Sequence, residues 1–252
     1  MSQFQQQYLD AMGITVWQQR KTLLPIAESE SANPETHAVS PALINESELP
    51  IDQLISTPSS VDVACLTWSE LEQAVADCQQ CSLCEGRSQS VLGEGDRQAR
   101  LMFVGAMPDA NEDQQGKPIV DRSGILFNAM LQSIGVNRQQ IYVTHLNKCR
   151  APADRAASAG EVTQCEVYLQ RQIALLQPSI IVLLGGAVAQ ALLKTEASLN
   201  ELRGLKVHFG DQQIPLMVIE HPSFLLTHRI GKRQAWQDLR QLQQWLTEVQ
   251  EA

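Results

Sequence analysis

Apolar residues along the chain follow two patterns. Leu101-Met-Phe-Val-Gly105, Ile141-Tyr-Val-Thr144, Ile180-Ile-Val-Leu-Leu-Gly185 and Pro215-Leu-Met-Val-Ile219 are short, nearly continuous apolar runs. They predict buried strands. Between and after them, helical spacing predicts helices around Ser123–Ile134, Glu161–Leu176 and Ala187–Leu193. A long amphipathic helix follows at Lys232–Gln250, with Trp236, Leu239, Leu242 and Leu246 on one face. Lys206–Phe209 reads as a hairpin arm against the fourth strand. Alternating strands and helices predict an α/β domain with a parallel sheet. Functional sites in such sheets lie at the C-terminal strand ends. Here those ends are Gly105, Thr144–His145, Gly185 and Glu220–His221.

The first quarter of the chain is different. Tyr8, Leu9, Met12, Ile14, Val16 and Trp17 give a helical apolar face interrupted at Gly13. Residues 24–60 then carry five prolines, many serines and acids, and no aromatic residue, a composition that predicts a disordered linker. The expected division is a docking peptide at 1–21, an acidic Pro/Ser-rich linker at 22–62, and a folded domain at 63–252. The charge follows the same division. The net charge is −9, yet 11 acids and no Lys or Arg lie between Thr22 and Gly86, leaving 17 basic and 16 acidic residues from Arg87 onward. A near-neutral folded part permits DNA contact through a local basic surface and gives no argument for strong nonspecific binding. No apolar run is long enough to span a membrane, and the N-terminus lacks the features of a signal peptide. The expectation is a soluble, cytoplasmic protein.

Six cysteines in such a chain argue for metal or redox chemistry rather than disulfides. Cys78-x-x-Cys81 is one pair; Cys149 and Cys165, with 15 residues between them, form another. Four thiolates hold either zinc or an iron–sulfur cluster, and spacing does not choose between them.

Cys78-x-x-Cys81, then Val91-Leu-Gly-Glu-Gly95, Lys148-Cys149-Arg150-Ala-Pro152-x-x-Arg155 and Cys165 resemble, in order and spacing, the family 4 uracil-DNA glycosylases. The resemblance covers residues 78–245. It implies a three-layer α/β/α fold around a central four-stranded, mainly parallel sheet. It also implies a structural 4Fe–4S cluster on Cys78, Cys81, Cys149 and Cys165. Cys65 and Cys84 are then spare, although Cys84 is spaced to replace a ligand.

The same resemblance locates a base pocket and shows where this chain departs from it. Gly105-Ala-Met-Pro-Asp109, Glu112-Asp113, Gly116 and Pro118-Ile-Val-Asp121 keep the skeleton of the family's first motif. Ala106 stands where the family has its acid near the attacking water. Asp109 replaces a glycine and would bring a carboxylate to where the anionic leaving base sits; Ile119 replaces the Phe that stacks on uracil, and His145 the Asn that reads the base edge. The last motif is retained as His221-Pro-Ser-Phe-Leu-Leu226, whose His stabilises charge on the departing base in the family. Arg229, Lys232 and Arg233 follow as a basic edge suited to phosphate. A lost acid/base group costs about 10²–10⁴-fold and a lost stacking platform about 1–3 kcal/mol. Very weak or absent uracil excision is the expectation. Glu112 and Asp113 read as solvated loop acids and His145 as a satisfied strand-end histidine.

The N-terminal pattern, with Leu9, Met12-Gly-Ile14, Trp17 and Arg20, resembles the leading segment of the psi subunit of the bacterial DNA polymerase III clamp loader. That likeness implies a clamp-loader subunit as partner for the peptide, and a chi-like subunit on the α/β domain. Two readings compete. One is a psi-like adaptor with a degraded excision pocket. The other is a divergent DNA-repair glycosylase acting on uracil or a related base. A plain single-strand binder is the weaker third.

Overall fold

A computed structural model of the chain describes residues 62–210, 212–228 and 230–251. The docking peptide (Leu9, Met12, Ile14, Trp17, Arg20), the linker as far as residue 61, and Arg229 lie outside the described residues.

Six strands form one sheet: β1 (Glu94–Gly95), β2 (Leu101–Gly105), β3 (Ile141–His145), β4 (Ile180–Leu184), β5 (Val207–Phe209) and β6 (Ile214–Ile219), ordered β1-β3-β2-β4-β6-β5. The inner four are parallel to their neighbours, while β1 and β5 are antiparallel additions at the two edges. Nine α-helices occur among the described residues: α1 (Trp68–Ala76), α2 (Leu83–Gly86), α3 (Ala110–Gln115), α4 (Asp121–Ser133), α5 (Ala159–Leu176), α6 (Gly186–Leu193), α7 (Leu199–Leu202), α8 (Pro222–Thr227) and α9 (Gly231–Glu251). None of the described helices is long and apolar enough to cross a membrane.

Successive strand side chains point to opposite faces, and that alternation builds three layers. Leu101, Phe103, Val143, Val182 and Met217 pack with Phe127 and Leu131 of α4 and Leu239 and Leu242 of α9. Met102, Val104, Tyr142, Ile181 and Leu216 pack with Leu169 and Ile173 of α5 and Val188 and Leu192 of α6. Both faces are covered, so the strands are apolar at nearly every position.

Three details differ from the sequence expectations. The sheet gains β1, which is too short to show periodicity, while β5 is the expected hairpin arm against β6. A stretch read as loop contains α3. On α9 the buried apolar residues are Ala235, Leu239, Leu242 and Trp245, spaced three and four apart, whereas Trp236 falls one step off this face and is 46% exposed.

A buried polar network ties β3 to α5. The Gln172 Oε1 accepts from Lys148 Nζ at 2.6 Å, and its Nε2 donates to Leu92 O at 2.8 Å and to the Tyr142 hydroxyl at 3.0 Å. Lys148 also donates to Thr144 Oγ1 at 2.8 Å and to the His145 carbonyl. Burial pulls the Lys148 ammonium down to about 7, against the nearby cysteines, which favour the charged form. Buried networks of this kind are costly when incomplete. Replacing Gln172 by Ala strips acceptors and donors from several buried groups at once and should lower stability by about 3 kcal/mol, measured by urea unfolding.

Candidate functional site

The site is built at the C-terminal ends of β2, β3, β4 and β6. After β2 the chain turns into α3, and Asp109 caps this helix, its Oδ1 accepting from Asn111 N at 2.8 Å and Glu112 N at 2.9 Å. Glu112 reciprocates from the third helical position, its Oε2 accepting from Asp109 N at 2.7 Å. Its Oε1 accepts from Ile119 N across the loop. Glu112 is only 3% exposed. Burial pushes its carboxyl up, but His145 and the two backbone donors outweigh burial and hold it at about 2. It is therefore ionised throughout the physiological range.

The loop it holds is also gripped from the other side. Arg138 donates to Pro118 O at 2.6 Å and to Ile119 O at 3.2 Å. Ile119 is buried at φ +50, a conformation that a β-branched residue rarely adopts. Gly124 allows the approach, because a β-carbon there would meet Ile119 O at 2.6 Å. Asp113 is buried too, and its carboxylate accepts from Ser88 N at 2.9 and 3.0 Å, fastening the segment after the first cysteine pair to α3.

His145 ends β3, is 1% exposed, and has Nε2 3.3 Å from Glu112 Oε2. Neither ring nitrogen makes an aligned hydrogen bond. Its ring lies over Gly105 of the adjacent strand, where a β-carbon would collide with it. His221 follows β6 and caps α8. Its Nδ1 accepts from Ser223 N at 3.2 Å and lies 2.7 Å from Ser223 Oγ. Burial and His145 pull His221 down to about 4, against the opposing influence of Glu112. The ring is neutral near pH 7, and the Ser223 bond assigns its proton to Nε2. A β-carbon on Gly185, at the end of β4, would sit 3.6 Å from His221 Cβ, so these strand ends converge.

Just beyond the C-terminal end of β3, Cys78, Cys81, Cys84, Cys149 and Cys165 line one cavity together with Arg87, Lys148 and Tyr168. Arg87 Nη1 donates to Cys149 Sγ at 2.9 Å, and Lys148 N donates to Cys165 Sγ at 3.2 Å. Burial raises the thiols of Cys81 and Cys149, and raises Cys165 to about 11. Cys78 is close enough to influence Cys81, Cys149 and Cys165 alike. As placed, no three His, Cys, Asp or Glu side chains among the described residues form a metal-holding group. In donor chemistry, however, four or five converging thiols beside two cations suit a thiolate-bound metal centre. Cys65 is exposed and lies apart from the cavity lining.

Residues 92–240 match the uracil DNA glycosylase superfamily. The chain belongs to that superfamily. It is 33% identical over 162 residues to the type-4 uracil-DNA glycosylase of Thermotoga maritima, covering 63% of this chain and 83% of that protein. The type-4 enzyme of Archaeoglobus fulgidus is 31% identical over 163 residues, 62% of this chain and 82% of that protein. The corresponding Sulfurisphaera tokodaii protein is 41% identical over 117 residues, and there the match spans only 53% of its length.

Within this superfamily fold, the structure corrects three readings of the pocket. Glu112 and Asp113 are not solvated loop acids; both are buried and bonded to backbone amides. Asp109 does not thrust a carboxylate into the pocket, because that carboxylate is spent capping α3. His145 is not a satisfied histidine, since its Nδ1 lacks a partner. Ala106 brings no acid, and Ile119 is buried. Lys232 and Arg233 are exposed at the start of α9. The spacing Asp109-x-x-Glu112 is a capping-box signal that points to α3 and to an inward-turned Glu112. No local signal could have found Arg138, whose partners lie about twenty residues away.

Two outcomes are expected. Gly105→Ala should cost about 1–3 kcal/mol by overpacking the His145 ring. In the Gly105→Ala/His145→Ala double variant the loss should fall well short of the sum, as read from a double-mutant cycle in urea. The Glu112 carboxyl, lowered on folding, contributes stability above its unfolded value of about 4.5 that is lost as pH falls toward 2. Glu112→Gln should flatten the stability profile in that window.

Proposed function

We propose that the protein is a divergent DNA glycosylase that cleaves the bond between deoxyribose and uracil or a related base. The observation that carries this reading is the buried, ionised Glu112 against His145, with a neutral His221 beside them at the strand ends. Type-4 uracil-DNA glycosylases among the relatives support it. A base leaving as an anion needs a hydrogen-bond donor aimed at its developing charge. His221, neutral and protonated at Nε2, is such a donor. His145 takes the base-edge position, oriented by Glu112. Glu112 itself is committed to two backbone amides and His145, so it positions groups rather than activating water. With Ala106 supplying no acid, leaving-group stabilisation is in place and water activation is weak. Slow turnover follows.

The pair at Cys78 and Cys81 and the pair at Cys149 and Cys165 are proposed to hold a 4Fe–4S cluster. Its contribution would be structural, joining the segment before β1 to the loop after β3 and to α5. Lys232 and Arg233, with Arg229, are proposed DNA phosphate contacts. The adaptor reading of the N-terminal peptide rests on its sequence likeness alone; the superfamily match begins after it, at residue 92.

Single-turnover assays on single-stranded DNA containing uracil or another deaminated base should show slow base release, abolished in His221→Ala. Ala106→Glu should accelerate it by about 10²-fold or more. No release of any deaminated base by the wild type or by Ala106→Glu would overturn the reading. Freshly purified protein should be brown and contain about four irons per chain, lost in Cys78→Ala and retained in Cys84→Ala.

A further inference from the structure

The outer face of α9 carries a pattern that the excision chemistry described above does not use. The helical repeat places Lys232, Arg233, Trp236 and Arg240 within an arc of about 100°. All four are exposed, Trp236 at 46%. None of the three cations makes an ion pair among the described residues. The one acid of α9 before Glu248 is Asp238. It is buried, 3.3 Å from Arg203, which also holds Glu220 after β6. On α4, the helix across from it, Asp121 and Arg122 cancel. In a chain of net charge −9, this face is cationic.

Beside Trp236 lies an open groove of about 210 Å³, lined by Leu126 and Met130 of α4, Leu225 of α8 and Leu239 of α9. His221 caps α8, and a β-carbon on Gly231, the first residue of α9, would sit 3.8 Å from the Phe224 ring of α8. The face thus begins where the chain leaves the candidate site. A groove without charge around it would suit an apolar protein segment. Three cations around one exposed indole suit instead a polyanion whose units carry flat aromatic faces. In a duplex each base is already stacked on its neighbours; in a single strand the base faces are available to an aromatic side chain.

We propose that this face of α9 binds single-stranded DNA, with Lys232, Arg233 and Arg240 meeting phosphates and one base stacking on Trp236 at the mouth of the groove. The choice of DNA rests on the reading of the protein as a DNA glycosylase, but binding here requires no excision. The test is fluorescence anisotropy of a labelled oligothymidylate, which contains no deaminated base, with the full-length protein over a series of salt concentrations. Trp236→Ala should weaken binding by about 10-fold, and Trp236→Phe should restore most of the loss. Lys232→Gln/Arg240→Gln should flatten the slope of log affinity against log salt by about 1.4, the share of two single-strand phosphates. An unchanged affinity in Trp236→Ala, an unchanged slope in the double variant, or equal losses on single-stranded and duplex DNA overturns the proposal. So does dimerisation of the wild type that Trp236→Ala abolishes, since a second copy of the chain would then cover the face. Absent excision with the expected binding would overturn only the enzymatic reading.

Discussion

The geometry of the site depends on one buried carboxylate. Glu112 accepts from the amides of Asp109 and Ile119 and faces His145. It thereby joins the start of α3, the loop before α4 and the end of β3. A buried anion is tolerable only when its charge is met from several directions. Here two amides and an imidazole meet it. The same interactions that keep Glu112 ionised also fix the loop in which Ile119 takes its positive φ, so the electrostatics and the shape of the pocket are one problem.

Much of the fold was legible in the sequence. The four core strands and the long helices appear as apolar runs and helical periods, because burial on both faces of a parallel sheet leaves a strong one-dimensional trace. β1 left none, since two residues paired through backbone atoms alone carry no side-chain pattern. The Trp236 assignment failed because helical periodicity cannot tell the centre of a face from its border. At the site, the motif positions of His145 and His221 were legible, but their surroundings were not. Whether Glu112 and Asp113 face water depends on which amides the folded loop presents to them, and Ser88 and Ile119 are distant or unremarkable in sequence. Arg203, Glu220 and Asp238 meet from three elements, and nothing local announces them.

The pocket divides into a polar part and an apolar part. The imidazole at 221, its Ser223 partner and the tight turn at Gly185 form a coherent donor site for negative charge. Ala106 brings no acid to the strand ends, and Ile119 is buried. On the proposed function, such a division suits a reaction limited by attack on the sugar rather than by departure of the base.

The placement of β1 has a further consequence. This two-residue strand shields the outer backbone edge of β3, and the chain leading to it comes from the thiol-lined cavity. Oxidation of those sulfurs would therefore slacken the strap that covers the edge. An uncovered strand invites pairing with other chains, so damage to the cysteines would be felt as insolubility.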